Sequence, residues 1–137
     1  LAPQRSSLLG LVSVIAPVLT TGNVAVVVTS FDRPLPAVTF AEVLATSDVP
    51  GGVVNLLPGA AVALGPWLAG HMDVNGIDLS GVAGSVDLAR EFEVAAADNL
   101  KRVRRAPDRE PDWTADPGLE AMTAFVEHKT VWHPIGV

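Results

Sequence analysis

Four short apolar runs, separated by longer helix-like segments, are the feature that most limits how this chain can fold. The runs cover residues 24–28, 53–57, 75–79 and 100–103, and the first of them reads Val-Ala-Val-Val-Val. Short runs rich in β-branched residues are typical of strands. The segments between them are long enough to carry the chain back across a sheet, as parallel pairing requires. The sequence therefore predicts an α/β fold of three layers, with a parallel sheet between helices.

The segments between the runs have the pattern of helices. Residues 6–21 are an apolar stretch that ends at Gly22, a common helix terminator. Pro34 opens the next helix, a short Ala-rich helix is expected around Trp67, and an amphipathic helix spans about residues 83–99. The positions predicted to face the core are Ala37, Phe40, Ala41 and Leu44 in the second helix, and Leu88, Phe92, Ala95 and Ala96 in the last.

The 26 residues from 6 to 31 carry no charge, which is long enough to suggest a membrane span. Pro17 and the residues at 20–23 interrupt this run. A buried helix followed by a buried parallel strand explains the same composition, so we predict no membrane segment. The chain shows no secretory signal, and we expect a cytoplasmic location. It begins at Leu1 rather than Met, and we expect it to be cut from a longer protein or processed.

Charge and residue usage exclude several classes of function for this chain. The formal net charge is −6, and the basic group at residues 101–105 is soon followed by acidic residues. We interpret that group as a solvated strand end and predict no nucleic-acid binding, because phosphate backbones favour clustered cations. The chain has no cysteine, so it contains no thiol nucleophile. His128 and His133 would point to opposite faces of a strand, and no metal site is predicted.

Four segments, in order along the chain, carry a resemblance to a known family. They are residues 16–28, 35–44, 49–59 and 98–103. On these segments residues 1–103 resemble the cofactor-binding domain of aldehyde dehydrogenases, which implies a Rossmann-like domain for NAD or NADP. Residues 104–117 then form an acidic, proline-rich loop. The tail at 118–137 resembles the final strand with which these enzymes oligomerise.

The resemblance also implies where a dinucleotide would bind. After the first strand the family has a lysine and a glutamate that bind the adenosine ribose, and this chain has the residues of 28–31 instead. Asp32, one position further on, could still accept a hydrogen bond from a ribose hydroxyl. In the phosphate-facing turn, Gly81 keeps the close backbone approach, and the start of the next helix offers N–H groups to a phosphate. The cofactor-binding residues predicted in this way are Thr29, Asp32, Gly59 and Gly81.

The catalytic motifs of the family are not matched in this chain. The family's Pro-Trp-Asn, whose amide helps to hold an oxyanion, is replaced by Pro3-Gln4-Arg5. Ala106 stands where the family has the glutamate that acts as general base. The nucleophilic cysteine belongs to a domain that this chain does not contain. We therefore predict no catalytic residue and no aldehyde oxidation by this chain alone.

Three functions follow as hypotheses. The first is a degenerate family member that acts as a scaffold or regulatory subunit. The second is a portion of an NAD(P)-dependent aldehyde dehydrogenase, and the third is a module that senses NAD(H) without chemistry. We expect residues 126–132 to form an edge strand that pairs with a neighbouring subunit, in a homo-oligomer or with a complete aldehyde dehydrogenase. The alternative for the tail is a strand packed on its own domain.

Overall fold

The computed structural model describes residues 1–136, and these form four short strands, five α-helices and one 3-10 turn. The strands are β1 (Ala25–Val28), β2 (Val54–Leu57), β3 (Gly76–Asp78) and β4 (Arg102–Arg104). The helices are α1 (Leu9–Thr20), α2 (Leu35–Ala45), α3 (Ala61–Gly70), α4 (Val86–Ala97) and α5 (Gly118–Thr123), and the 3-10 turn is Ser80–Val82. Each of the four strands predicted within residues 1–103 is present, within one or two residues of its expected bounds.

The strands pair in parallel, and helices cover them on two sides. β1 pairs with β2, and β3 pairs with β4. Neighbouring residues of β1 face different cores: Val28 packs with α3 and α4, whereas Val27 packs with α1 and α2. The first core contains Leu1, Val28, Ala69, Ile77, Leu79, Val82, Phe92 and Ala96. The second contains Ala2, Leu11, Val14, Ile15, Ala25, Val27 and Ala37. The predicted α/β class is therefore confirmed.

The sheet differs from the prediction, because it consists of two separate pairs of strands rather than one continuous sheet. Residues Leu1 and Ala2 connect the pairs. The backbone nitrogen of Leu1 donates to the Asp78 carbonyl of β3 at 2.7 Å. The nitrogen of Ala2 donates to the Val28 carbonyl of β1 at 2.9 Å. These two residues are too few to count as a strand, but they occupy the place of one.

The tail also differs from the strand that the sequence suggests. Residues 118–123 form α5, and residues 126–136 have no regular secondary structure. α5 packs against α1, and its Ala121 is buried. Trp113, in the loop before α5, contacts the second core and donates its ring N–H to Glu110 at 3.1 Å. The apolar face of α5 is therefore covered by α1 of the same chain.

The predicted helix faces are largely confirmed, whereas the interpretation of Lys101 is wrong. Ala37, Phe92 and Ala96 are buried. Lys101 is only 8% exposed, and burial lowers the pKa of its ammonium. That ammonium donates to the carbonyls of His71 and Val74, and to the side chain of Asn99. A buried cation is tolerated here because three acceptors surround it.

None of the helices in residues 1–136 has the length and apolar character needed to cross a bilayer.

The contact between α3 and α4 gives a test of this packing. A Cβ placed on Gly65 would overlap the ring of Phe92, which is fully buried, whereas one placed on Gly70 would meet nothing within 4 Å. We expect Gly65→Ala to lower the free energy of unfolding by about 1–3 kcal/mol, because the ring has no space to move. Gly70→Ala, at the end of the same helix, is the matched control and should be neutral or slightly stabilising. Urea unfolding measures both, and equal stabilities would contradict this packing.

Candidate functional site

The four residues predicted to bind a cofactor all follow the carboxyl ends of parallel strands. Thr29 and Asp32 follow β1, Gly59 follows β2, and Gly81 lies in the 3-10 turn after β3. In α/β proteins ligands bind at this edge of the sheet, since the loops after parallel strands gather there. The fold thus brings the predicted residues to one edge.

Thr29 is fully buried at this edge. Its backbone N–H donates to the Leu57 carbonyl at 3.1 Å and so continues the pairing of β1 with β2. Its side-chain Oγ1 is buried and has no hydrogen-bond partner among the residues that the structure describes. An unpaired buried hydroxyl costs about 1–3 kcal/mol. The orphaned hydroxyl marks a polar position at the edge, but solvent does not reach it.

The chain itself covers the backbone next to Thr29. The Gln4 side chain accepts from the Phe31 N–H at 3.0 Å and donates to the Ala2 carbonyl at 3.0 Å. Ser30 donates its hydroxyl to the Gln4 carbonyl at 2.8 Å. The segment at 3–5 is therefore bound to the turn after β1, and Gln4 has a structural role there.

Asp32 and Gly59 have different surroundings. Asp32 is exposed, just before α2, so its carboxylate is accessible. Gly59 lies against Leu64 of α3, because a Cβ at this glycine would come within 2.6 Å of the Leu64 Cδ1. The glycine provides space for the leucine. Asp32 is thus the predicted residue that an incoming ribose could reach without rearrangement.

The turn after β3 uses its N–H groups within the chain. Gly81 donates to the Leu1 carbonyl at 2.8 Å, and Gly84 donates to the Pro107 carbonyl at 3.1 Å. Ser80 donates to the carboxylate of Asp78 at 2.7 Å. The remaining N–H groups of the turn, those of Val82, Ala83 and Ser85, donate to carbonyls of the turn itself. Helix α4 begins only at Val86, later than the sequence suggests, so these N–H groups do not form an open anion site.

Charged groups beside the turn are also paired. The Asp78 carboxylate lies 3.0 Å from the Arg104 guanidinium. Glu110 accepts from the backbone nitrogens of Arg5 and Ser6, at 3.2 and 2.9 Å. The roles of Glu110 and Gln4 could not be found from the sequence, since each depends on contacts between distant segments. The loop at 104–117 therefore closes over this edge.

The turn after β3 offers no free backbone donor to a pyrophosphate. A pyrophosphate needs free N–H donors, and those of residues 80–85 are satisfied by the chain's own acceptors, whereas the start of α4 at Val86 has no side-chain cap. On the adenosine side, Asp32 is exposed and Thr29 is buried. The assignment of Thr29, Asp32, Gly59 and Gly81 to a cofactor therefore stays a prediction.

Gly81 has a structural reason to be glycine. A Cβ there would lie 2.5 Å from the Ala2 carbonyl oxygen and 2.7 Å from the Leu1 carbonyl carbon. We expect Gly81→Ala to lower the free energy of unfolding by about 2 kcal/mol or more, because backbone rather than a flexible side chain blocks the methyl group. Gly51→Ala, where a Cβ meets nothing within 4 Å, is the control. Thermal unfolding measures both, and an unchanged melting temperature for Gly81→Ala would contradict the close approach.

Comparison with known proteins gives a consistent result. Residues 2–105 match the model of the aldehyde dehydrogenase family. The chain is 33% identical over 119 residues to the human protein "Aldehyde dehydrogenase, mitochondrial", which covers 79% of this chain and 22% of that protein. It is 32% identical over 133 residues to "Aldehyde dehydrogenase 1A1" of Rattus norvegicus, which covers 96% of this chain and 26% of that protein. The chain thus spans about a quarter of the length of these relatives.

Solved structures agree with the sequence comparison. An aldehyde dehydrogenase from Bartonella henselae superposes with a TM-score of 0.62 at 31% identity, over 69% of this chain and 19% of that one. A lactaldehyde dehydrogenase superposes with a TM-score of 0.59 at 34% identity, over 65% of this chain and 18% of that one. From the extent of the family match and from this shared fold, the chain belongs to the aldehyde dehydrogenase family.

Proposed function

We propose that this chain is a catalytically silent member of its family, a scaffold or regulatory subunit that neither binds NAD(P) tightly nor oxidises aldehydes by itself. The observation that carries the proposal is the turn after β3, whose N–H groups all donate within the chain. The absence of cysteine from the 137 residues adds to it, because a thiohemiacetal requires a thiolate. A cytoplasmic location is part of the proposal.

Calorimetric titration of the chain with NAD⁺ and with NADP⁺ tests whether it binds either cofactor. We expect no saturable binding at millimolar cofactor, because the N–H donors of residues 80–85 are occupied. Saturable binding without turnover would overturn the proposal in favour of a sensing module.

If such binding is found, Asp32→Ala should weaken the affinity for the cofactor about tenfold or more, through loss of a charge-assisted hydrogen bond. Asp48→Ala, at another exposed aspartate, is the matched control, and an unchanged affinity for Asp32→Ala would remove the ribose assignment.

The tail is the surface through which the subunit would act. Residues 127–136 are exposed and carry no regular secondary structure, and Trp132 is 88% exposed. An extended segment with free backbone groups can add to the edge of a neighbouring sheet. The exposure of Val131 and Ile135 supports such pairing, since both would be covered in an assembly. The partner is a second copy of this chain or a complete aldehyde dehydrogenase.

Proline substitutions in the tail test the pairing. Adjacent N–H groups of a strand point to opposite sides, so only one of Thr130 and Val131 would donate to a partner strand. We expect one of Thr130→Pro and Val131→Pro to raise the dissociation constant of the assembly about tenfold, and the other to have little effect. Val131→Thr, which keeps the N–H, is the control. Native mass spectrometry over a dilution series measures this, and equal effects of both prolines would contradict strand pairing.

The second candidate is a portion of an NAD(P)-dependent aldehyde dehydrogenase whose remaining parts lie upstream. The share of the relatives that this chain covers, 22% to 26%, favours it. A native mass spectrum of the protein as isolated separates the two candidates. A bound dinucleotide or a cysteine-bearing polypeptide in the assembly supports the enzyme, and an assembly of this chain alone supports the silent subunit.

A further inference from the structure

One carboxylate holds the loop at 104–117 to the segment before α1. The two oxygens of Glu110 accept hydrogen bonds from the backbone nitrogens of Arg5 and Ser6, at 3.2 and 2.9 Å. The indole nitrogen of Trp113 donates to the same carboxylate at 3.1 Å. Hydrogen bonds to an ionised acceptor are about twice as strong as neutral ones. Glu110 is therefore a strong point of attachment between segments that are distant in sequence.

A second attachment lies at the turn after β3. The Pro107 carbonyl accepts from the Gly84 N–H at 3.1 Å. The Asp108 carbonyl oxygen lies 3.1 Å from the position that a Cβ on Gly84 would take, so the loop backbone is directly against the turn. The two attachments together use three backbone N–H groups at the carboxyl edge of the sheet, those of Arg5, Ser6 and Gly84.

The loop is fixed at both ends, and the part between can move. On one side the loop continues from β4, and on the other the ring of Trp113 packs against the second core. Residues 107–111 lie between these ends. In the part of the chain that the structure describes, their hydrogen bonds to other segments are those of Glu110 and Pro107. Loss of these bonds would free residues 107–111 without unfolding either core.

The loop also brings negative charge to an edge that has positive charge of its own. Between residues 106 and 117 the chain has four carboxylates and one guanidinium. Next to Glu110, the Arg33 guanidinium donates to the Arg5 carbonyl at 3.0 Å. Neither of these two arginines forms a salt bridge within residues 1–136. The loop therefore opposes the approach of an anion that the two guanidinium groups would attract.

We propose that residues 107–111 are an autoinhibitory strap that keeps phosphate-bearing ligands from the N–H groups of Arg5, Ser6 and Gly84. Backbone N–H groups at the carboxyl edge of a parallel sheet are suited to bind phosphate groups. In the closed state the Glu110 carboxylate takes the place of such an anion. When it leaves, the two backbone donors and the Trp113 indole are free together. Such a strap would serve a silent subunit and part of an enzyme alike, so it does not rest on the proposed function.

Amide hydrogen exchange on the full 137-residue chain tests the strap. Glu110→Gln keeps the size of the side chain but removes its charge and one acceptor oxygen. We expect exchange at Arg5, Ser6 and Gly84 to become at least about tenfold faster, because the strap opens as a unit. Asp108→Asn, which removes the same charge at an exposed carboxylate of the strap, is the matched control and should leave the three rates unchanged. Equal rates in the two variants would overturn the proposal, and so would faster exchange at Arg5 and Ser6 with none at Gly84.

Phosphate binding tests the inhibition. The same chains are titrated with inorganic phosphate and with AMP at constant ionic strength, and the amide signals of Arg5 and Ser6 are followed by NMR. We expect Glu110→Gln to bind phosphate at least about tenfold more tightly than the unsubstituted chain or Asp108→Asn. Tighter binding of AMP would identify a nucleotide as the source of the phosphate group, and equal binding would identify free phosphate. If Glu110→Gln binds both probes no better than Asp108→Asn, the autoinhibition is wrong.

A second variant decides the question if Glu110→Gln does not fold. Trp113→Phe removes the indole donor and keeps an aromatic ring against the second core. We expect exchange at Gly84, which does not contact the indole nitrogen, to become about threefold faster or more, since a weaker attachment of Glu110 opens the whole strap. An unchanged rate at Gly84 in folded Trp113→Phe would overturn the proposal.

Discussion

The hydrogen bonds of Leu1 and Ala2 set the arrangement of the whole structure, because they bridge the edges of β1 and β3, whose Val28 and Ile77 also share one core. Each pair is short, and isolated two-stranded units are marginal in water. The dipeptide is nearly inaccessible to solvent and contributes a side chain to each core. It also explains why the turn after β3 must contain a glycine, since the carbonyls of both residues lie against Gly81. One extended dipeptide thus sets the spacing of the strands and the shape of the predicted phosphate turn.

Local patterns predicted most of the fold. The β-branched run before Thr29 identified β1, and the spacing of Phe92 and Ala96 identified the buried face of α4, because both signals depend only on nearby residues. Lys101 was misjudged because its acceptors come from the loop after α3, some thirty positions away in sequence. Helix α5 was missed for a related reason, because its apolar contact is with α1, which is distant in sequence. The pairing of residues 126–132 requires a partner chain and stays a prediction.

The candidate site, like the fold, could be predicted where it depends on nearby residues and not where it depends on distant ones. The sequence predicted which residues follow the strand ends, and parallel pairing brings them to one edge. It could not predict that Gln4, Pro107 and Glu110 would bind the backbone around them, since these contacts connect segments far apart in the chain. The family resemblance concerns the backbone path. The availability of donors on that path is decided by side-chain and loop contacts between distant segments.

The contacts of Glu110 also bear on how the protein folds. Its carboxylate accepts from the backbone of Ser6 and Arg5, which lie 104 and 105 positions earlier in the chain. The bond from Leu1 to Asp78 spans 77 positions. Closing such long loops costs entropy before any contact repays it, and folding slows as the mean separation of contacts rises. The two strand pairs and their helices are local by comparison. The pairings of β1 with β2 and of β3 with β4 join residues only 29 and 26 positions apart, and we expect them to form before the contacts of Leu1 and Glu110.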